Sequence, residues 1–430
     1  MEDLVTENVV RKTICDGVNF TTIHDEKFKQ NLITVSFLLP LDRKTASVNA
    51  LLPLVLRHGC RDLPDMTALN RRLKQLYGAH IDGGVGKRGE VQIMTLFCES
   101  LGDSYALDGE QVLLQCSELL KSVIFDPAFV DGCFNPQNVE IEKRNLTDQI
   151  DSLLNDKRQY ATMRLKEEMC RDEAYGVCEL GSREDVAGIS PKKLYDAWQS
   201  MLATATAEIF VLGPGDAQPI ERNFHEAFRG VGRTKTEKAA TKVVKTAGNA
   251  KTIVERLPIT QAKLVMGLRA GVASPGNTDA MQLACAILGG TPHSKLFANV
   301  REKMSLCYYC MSYFERQKGI VFIDSGIEEQ NYEKARTEIL HQLDEVKSGN
   351  FTDDEMRFAK LSIQNSYTQV ADSLGSLSDY YLSQSMSGEI RTPQESAAGI
   401  MGVSRQDVIN AARGIQLDTV YLLAGSKEGE

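Results

Sequence analysis

Histidine and tryptophan are scarce in this sequence, and long apolar runs are absent. The 430 residues contain six histidines and one tryptophan, which leaves little material for a metal site built from imidazoles. No segment approaches the roughly 18 uninterrupted apolar residues of a membrane-spanning helix. Basic residues are outnumbered by acidic ones, 49 to 58, which argues against a general nucleic-acid binder. We therefore expect neither nucleic acid nor a membrane among the partners.

The amino-terminal sequence also lacks the marks of a targeting segment. No charged region precedes an apolar stretch, and the early acids Glu2, Asp3 and Glu7 are unlike an organelle transit peptide. Ten cysteines are scattered along the chain. In a long chain without a secretion signal they are expected to be reduced thiols. These observations favour a cytoplasmic location.

A change in composition divides the chain into halves. Residues 231–250 hold five Lys or Arg against one Glu, a pattern that fits a solvated linker, with a basic docking segment as the alternative. This linker separates an N-terminal domain, residues 1–230, from a C-terminal domain, residues 251–430. The hydrophobic content of 42% is ample for two cores.

The two halves resemble each other. Ser190 and Ser404 each precede a helical pattern with apolar residues at i+4 and i+7, followed by a short buried strand. Each half also begins with a β-type run, at 31–39 and 262–268, that leads into a helix at 46–56 and 278–288. Strands gathered around hairpins, with long amphipathic helices such as 332–348, predict an α+β fold. We expect two homologous tandem domains, each an antiparallel sheet packed by long helices.

One segment of the second half is specific enough to suggest a family. A Gly-rich turn at 288–290 precedes Leu-Phe at 296–297, then Arg-Glu-Lys at 301–303, and Tyr308 follows seven residues after the Arg. This segment resembles the C-terminal-domain signature of the pitrilysin, insulinase and mitochondrial processing peptidase superfamily. In the first half, residues 142–144 resemble the start of its long active-site helix. The resemblance spans nearly the whole chain and implies half of a clam-shell chamber, formed by short-chain subunits that dimerise.

The zinc motif of that superfamily is degenerate here. Active members carry His-x-x-Glu-His on a helix, where two histidines and a distant Glu bind Zn²⁺ and the intervening Glu activates water. By resemblance, the corresponding residues are Leu54, Arg57 and His58, with Gln149 in place of the distant ligand, or Asp148 if the register slips by one. The closest two histidines of the chain are 22 positions apart, and a nearby Arg opposes a metal by its charge. We expect no zinc in this chain, and His58 is either a polar or capping residue or a remnant ligand.

Two further motifs have structural explanations. Residues 84–89 fit G-x-G-x-x-G, but a strand follows where a dinucleotide site needs a helix, so a glycine-rich hairpin is the better interpretation. Cys307 and Cys310 form a lone Cys-x-x-Cys within a strand-like segment, where i and i+3 point to opposite faces. Two ordinary buried thiols are expected, with a redox pair as the alternative.

The resemblance gives Arg301 and Tyr308 a functional role. In the superfamily the matching residues reach across the chamber toward the zinc, bind the substrate carbonyl and stabilise the oxyanion of the tetrahedral intermediate. A guanidinium and a phenol are suitable donors for that negative charge. In the alternative, Arg301 pairs with an acid on its helix and Tyr308 fills the core.

These observations lead to one main functional hypothesis and two alternatives. The main hypothesis is a non-catalytic subunit of a bacterial, heterodimeric zinc-dependent processing peptidase. It has no catalytic residues in isolation, binds peptide along a strand edge, and supplies Arg301 and Tyr308 to a homologous zinc-bearing partner with an intact His-x-x-Glu-His. Without that partner the chain can form a homodimer. The alternatives are a proteolytically inert scaffold and a self-sufficient metallopeptidase that uses His58 with Asp148 or Glu142.

Overall fold

The computed structural model describes residues 4–5, 8–234, 236, 238–274 and 276–426. Glu2, Asp3 and Glu7, together with linker positions 235 and 237, lie outside this part of the chain. The described residues form fourteen strands: β1 (Leu4–Val5), β2 (Val9–Cys15), β3 (Val18–His24), β4 (Gln30–Pro40), β5 (His80–Arg88), β6 (Val91–Leu101), β7 (Phe129–Val130), β8 (Cys133–Phe134), β9 (Thr206–Gly213), β10 (Lys251–Leu257), β11 (Ala262–Arg269), β12 (Cys307–Glu315), β13 (Ile320–Ile327) and β14 (Gln416–Gly425).

Helices connect these strands and cover their sheets. Two π-helical segments, Ala286–Gly290 and Leu296–Lys303, lie between β11 and β12 in the chain. The α-helices are α1 (Ala46–Leu56), α2 (Met66–Gln75), α3 (Val112–Phe125), α4 (Pro136–Asn155), α5 (Lys157–Met169), α6 (Arg183–Ala187), α7 (Pro191–Thr204), α8 (Gln218–Gly230), α9 (Asp279–Cys285), α10 (Tyr332–Ser348), α11 (Asp353–Val370), α12 (Leu374–Ser387), α13 (Pro393–Gly402) and α14 (Arg405–Arg413). No helix among the described residues has both the length and the apolar character required to cross a membrane.

The chain folds into two compact units, and each unit includes a segment from the other half of the sequence. Unit 1 consists of Met1–Asp151, Val177–Ala240 and Ser373–Ser383. Unit 2 consists of Ser152–Gly176, Thr241–Asp372 and Gln384–Glu430. The sequence repeat predicts different bounds, 1–230 and 251–430 on either side of a linker at 231–250. These bounds remain a prediction. The described part of that linker forms neither helix nor strand.

The two main sheets share a topology of five strands, to which the sheet of unit 1 adds two more. In unit 1 the order is β1-β2-β3-β9-β4-β6-β5, and in unit 2 it is β10-β14-β11-β13-β12. In each sheet one parallel pair, β3 with β9 or β10 with β14, is followed by three antiparallel pairs. Five strands in the same order and directions form the repeated unit. The expected α+β fold is confirmed.

Local sequence signals explain why corresponding helices begin where they do. The hydroxyl of Ser190 accepts a hydrogen bond from the backbone N–H of Lys193 at the start of α7. The hydroxyl of Ser404 accepts one from the backbone N–H of Asp407 at the start of α14. The side chain of Asp407 in turn accepts one from the backbone N–H of Ser404. Such caps satisfy amide groups that the first helical turn leaves without partners. They confirm the helix starts predicted near the end of each half.

Each unit has its own hydrophobic core. In unit 1, α1 and α3 pack on the sheet and α7 packs on α1, through fully buried side chains such as Leu51, Leu120 and Leu194. In unit 2, α5 packs on β11 and β14, where Leu165 and Met169 meet the sheet residues. The glycine-rich segment forms the β5–β6 hairpin, as predicted.

Candidate functional site

The degenerate motif lies at the end of α1, a helix buried along its whole length. All eleven residues of α1 are buried, which fits a helix that is apolar on nearly every face. Leu54 is part of the unit 1 core. Arg57 is the C-terminal cap of the helix, and the backbone N–H of His58 donates to the carbonyl oxygen of Val55. Arg57 and His58 therefore lie at the C-terminal end of α1.

Helix α4 supplies a carboxylate to this point. Its buried positions are Val139, Glu142, Leu146 and Ile150, a spacing of three or four residues that defines one helix face. Glu142 is 2% exposed, although its neighbours in that stripe are apolar. Asp148 and Gln149, the positions considered as ligands from the sequence, are exposed residues of the same helix.

Five polar residues of unit 1 form what we call the Glu142 cluster: Arg57, His58, Asp82, Glu142 and Asn145. Nε2 of His58 lies 2.6 Å from Oε1 of Glu142. Asn145 donates to Oε2 at 2.9 Å, and Nη2 of Arg57 lies 3.5 Å from the same oxygen. Nη1 of Arg57 donates to Asp82 on β5 at 2.8 Å. One guanidinium thus lies between two carboxylates.

These contacts keep both carboxyl groups ionised. Burial raises the pKa of Glu142, but the hydrogen bonds from His58 and Asn145 and the charge of Arg57 outweigh it and lower the pKa below its ordinary value. Burial also raises the pKa of Asp82, and the hydrogen bond from Arg57 again outweighs it. Because an ionised carboxylate only accepts hydrogen bonds, Nε2 of His58 carries the proton of the bond to Glu142.

The residues of the Glu142 cluster do not fit a zinc ion. The cluster offers a single imidazole, and the carboxylate beside it already receives three donors. A guanidinium stays protonated at any ordinary pH, so it can act neither as a ligand nor as a general base. Across the described residues, no group of three or more His, Cys, Asp or Glu has a metal-binding arrangement. We derive no metal chemistry from this site.

Arg301 and Tyr308 lie together in unit 2. Arg301 belongs to the π-helical segment Leu296–Lys303, where it lies over the ring of Phe297 and 3.6 Å from Glu302. Both residues line a cavity of about 390 Å³, together with Glu328. Arg301 thus lies beside an acid of its own helix, as in the alternative given from the sequence. Its side chain nevertheless remains 42% exposed.

A β-bulge explains why Tyr308 faces solvent. Cys307 pairs with Ile327 and Tyr309 pairs with Gly326, so Tyr308 is an extra residue in β12 with no partner position in β13. Bulges of this kind redirect a side chain away from the regular alternation of a strand. Tyr308 is 59% exposed. The alternative in which Tyr308 fills the core is therefore wrong.

The same bulge changes the position of the two cysteines of Cys-x-x-Cys. Cys307 lies opposite Ile327 and Cys310 opposite Ser325, and residues two apart on β13 point to the same face. Both cysteines therefore face one side, where Cys310 lowers the pKa of Cys307 and Cys307 raises the pKa of Cys310. The expectation that they point to opposite faces is wrong, because it assumed a regular strand.

Comparisons with known proteins fit this geometry. The family described as "Peptidase M16 inactive domain" matches residues 188–363. The chain is 32% identical over 417 residues to the "Probable inactive metalloprotease YmfF" of Bacillus subtilis, covering 96% of each protein. The chain belongs to the M16 peptidase family. It is a non-catalytic M16 member, which confirms the resemblance drawn from the sequence.

Solved structures share the M16 fold of this chain. A conserved protein from Enterococcus faecalis superimposes with a TM-score of 0.91 at 28% identity, covering 99% of this chain and 100% of that one. A peptidase M16 inactive domain from Pseudomonas fluorescens gives a TM-score of 0.77 at 16% identity, covering 98% and 100%. The second similarity shows the fold alone.

Sequence reasoning missed three members of the Glu142 cluster in this M16 chain. It treats Glu142 only as the start of a helix and as a ligand in the metallopeptidase alternative, and it gives no role to Asp82 or Asn145. A signal for Glu142 was present, because it falls in the apolar stripe that continues with Leu146 and Ile150. A carboxylate in such a stripe indicates a buried partner.

Proposed function

We propose that this chain is the non-catalytic subunit of a heterodimeric zinc-dependent peptidase, to which it presents Arg301 and Tyr308. The observation that supports this most strongly is the arrangement of these two side chains. Both are exposed, and both line the same cavity of about 390 Å³. An exposed Tyr on a bulge gains little from core packing, so its position is better explained by contact with another molecule.

The chemistry of the pair suits the stabilisation of an oxyanion. A guanidinium offers several N–H donors and a phenol offers one O–H donor, and neither needs a change of protonation state to act. Donors that are already aimed at developing negative charge lower the barrier of acyl transfer. The catalytic water and its activation would come from the partner, because Arg57 stands at the position of the motif's intervening Glu here and a guanidinium cannot act as a general base.

Peptide binding by the open edge of a sheet is the second part of the proposal. Among the described strands, β5 pairs only with β6, and it is the last strand of its sheet. Gly84 and Gly86 lie on β5, and a Cβ atom added to either would meet no atom within 4 Å. A strand edge with free backbone groups and little side-chain bulk accepts an extended peptide as an additional strand. Asp82 on this strand links the edge to the Glu142 cluster.

The cytoplasm is the proposed compartment. All ten cysteines are free thiols in this structure, and free thiols in this number suit a reducing environment. A homologous chain with an intact His-x-x-Glu-His is the proposed partner, and a homodimer is the form expected in its absence.

The test is to mix the purified chain with a zinc-bearing M16 paralogue from the same source and to measure peptide cleavage. We expect the mixture to be active and each chain alone to be inactive. In the mixture, Arg301→Ala and Tyr308→Phe should each lower kcat by about 10²–10³-fold, the usual cost of one oxyanion donor. Lys303→Ala and Tyr313→Phe are the matched controls, because both are exposed residues near the same elements, and they should leave kcat unchanged.

Each alternative function predicts a different result. A stable but inactive complex would indicate a scaffold, as would wild-type rates for both Arg301 and Tyr308 variants if activity came from the partner alone. Stoichiometric zinc in the isolated chain, together with cleavage, would indicate a self-sufficient metallopeptidase and would contradict the proposal.

A further inference from the structure

The β12 bulge creates a pair of thiols that differ in their access to solvent. Cys310 is 5% exposed, whereas Cys307 is only partly buried and lines the cavity that also contains Arg301. The two thiols lie on one face of the strand, and each shifts the pKa of the other. One thiol can therefore be reached from solvent, and the other lies behind it within reach of its sulfur.

The surroundings of Cys307 favour its thiolate form. The hydrogen bond from Cys310 lowers the pKa of Cys307 by more than burial raises it, and Ser325 and the charge of Arg301 act in the same direction. The hydrogen bond and burial together raise the pKa of Cys310. A reactive thiol of this type has partial exposure, a nearby cation and a second thiol that can resolve a mixed disulfide.

A second thiol pair in the chain provides a comparison. Cys98 on β6 and Cys116 on α3 also shift the pKa of each other, which is raised for Cys98 and lowered for Cys116. Both are buried, at 1% and 0% exposure. Mutual coupling is thus common to both pairs, and of the two only the pair at 307 and 310 combines it with access from a cavity.

We propose that Cys307 and Cys310 are a reversible redox modification site, oxidised to an intramolecular disulfide by low-molecular-weight disulfides such as oxidised glutathione. Nothing in this inference depends on the chain having a proteolytic partner, because it concerns the chemistry of residues within unit 2.

The reaction has two exchange steps. The thiolate of Cys307 attacks one sulfur of oxidised glutathione, the glutathione S–S bond breaks, and the first glutathione thiolate leaves and takes up a proton. The Cys310 thiol then loses its proton, its thiolate attacks Sγ of Cys307, the mixed disulfide breaks, and the second glutathione leaves as a thiolate that takes up the proton. Two protein thiols are oxidised and one glutathione disulfide is reduced to two thiols, so no other oxidant is required.

Oxidation would act directly on Tyr308. The disulfide closes a ring of four residues, 307–310, which contains the bulged Tyr308. Since the S–S bond holds its two sulfurs about 2 Å apart, closer than two thiols in hydrogen-bond contact, the bulge must tighten as the bond forms. We expect the position of the Tyr308 phenol relative to the cavity to differ between the two redox states.

The test is to incubate the native full chain with oxidised glutathione, block remaining thiols with N-ethylmaleimide, and map every cysteine by mass spectrometry. In the wild type we expect a disulfide between Cys307 and Cys310 that dithiothreitol reverses, with Cys98 and Cys116 still reduced. The Cys310→Ser variant should stop at one glutathione on Cys307. The Cys307→Ser variant should leave Cys310 unmodified, because that thiol is buried.

Several results would overturn the proposal. These are a wild-type pair that stays reduced at any ratio of oxidised to reduced glutathione, a mixed disulfide on Cys307 that never passes to Cys310, and oxidation of Cys98 and Cys116 at the same rate. The wild-type measurement decides the matter even if a serine variant does not fold. Fluorescence of Trp198 shows that unit 1, which contains the comparison pair, stays native during the incubation.

Discussion

Replacing Glu142 by Gln is expected to destabilise unit 1 strongly and in a pH-dependent manner. The substitution keeps the size of the side chain but removes the charge that faces His58 at 2.6 Å and Arg57 at 3.5 Å. Removing one partner of a buried ion pair costs about 3–5 kcal/mol. Glutamine retains an acceptor oxygen for His58, and Arg57 retains Asp82, so we expect the lower end of that range, about 3 kcal/mol.

The pH dependence follows from the direction of the pKa shift. The pKa of Glu142 in the folded chain is below its ordinary value of 4.5, so folding favours the ionised form. Its stabilisation is fully present above about pH 4.5 and is lost as the pH falls through the folded-state pKa. The wild type loses this contribution in acid and the Gln variant has none to lose. The two stabilities should therefore converge below pH 4.5.

The assay uses the single tryptophan of the chain. Trp198 lies on α7 in unit 1, where its indole N–H donates to the carbonyl oxygen of Ile124 at 2.8 Å. Its fluorescence during urea unfolding reports on the same unit that contains Glu142. With a slope of about 2 kcal/mol per M, a loss of 3 kcal/mol lowers the midpoint by about 1.5 M at neutral pH.

The matched control is Glu140→Gln, on the same helix. Glu140 has an exposed side chain paired only with Lys143 among the described residues, so its midpoint should stay close to the wild-type value. An unchanged midpoint for the Glu142 variant would refute the reasoning, because it would mean that the buried charge contributes no net stability. A large difference that persists undiminished in acid would also refute it, since the loss would then come from packing rather than from charge.

Three further substitutions, the first with a matched control, test other parts of the fold. Gly213→Ala should destabilise unit 1 by at least about 2 kcal/mol in the same urea assay, because φ is +120° and a Cβ would lie 2.6 Å from a backbone oxygen. Gly84→Ala, in open space, should leave the midpoint unchanged. Tyr421→Phe should destabilise unit 2 by about 1 kcal/mol, since it removes a 2.7 Å hydrogen bond to Glu255; no loss in tyrosine circular dichroism melts would contradict this. Glu173→Gln should cost unit 2 about 3 kcal/mol at neutral pH, because two buried cations each lose one of their partners. Since the hydrogen bonds from those cations hold the pKa of Glu173 low despite burial, this cost should shrink in acid, and a pH-independent cost would count against it.

The parts of the fold set by local interactions were predictable from the sequence. The helices expected at 46–56 and 332–348 have these bounds in the structure. Thr352 and Glu355 also form a capping box at the start of α11, with hydrogen bonds in both directions. Periodicity and capping act over a few residues, so one chain segment contains the information needed to recognise them.

The parts that depend on distant partners were not predictable in the same way. His58 and Glu142 are 84 positions apart, and no local pattern pairs them. The β12 bulge depends on the register with β13, so a regular strand was assumed and Cys307 and Cys310 were placed on opposite faces. Helix α5 lies in the first half of the sequence, which predicts that it belongs to the first domain. Its apolar stripe instead packs on the sheet of unit 2.

The segment Ser373–Ser383 has a consequence for the order in which this protein is made. Unit 1 includes these residues, and they are held there by the 2.9 Å hydrogen bond between Thr34 and Ser378 and by the ion pair of Arg88 with Asp379. During synthesis the first 240 residues emerge long before this segment does. The nascent amino-terminal half therefore waits, incomplete, until most of the chain has been translated. Separate expression of residues 1–230 would yield unit 1 without its segment Ser373–Ser383.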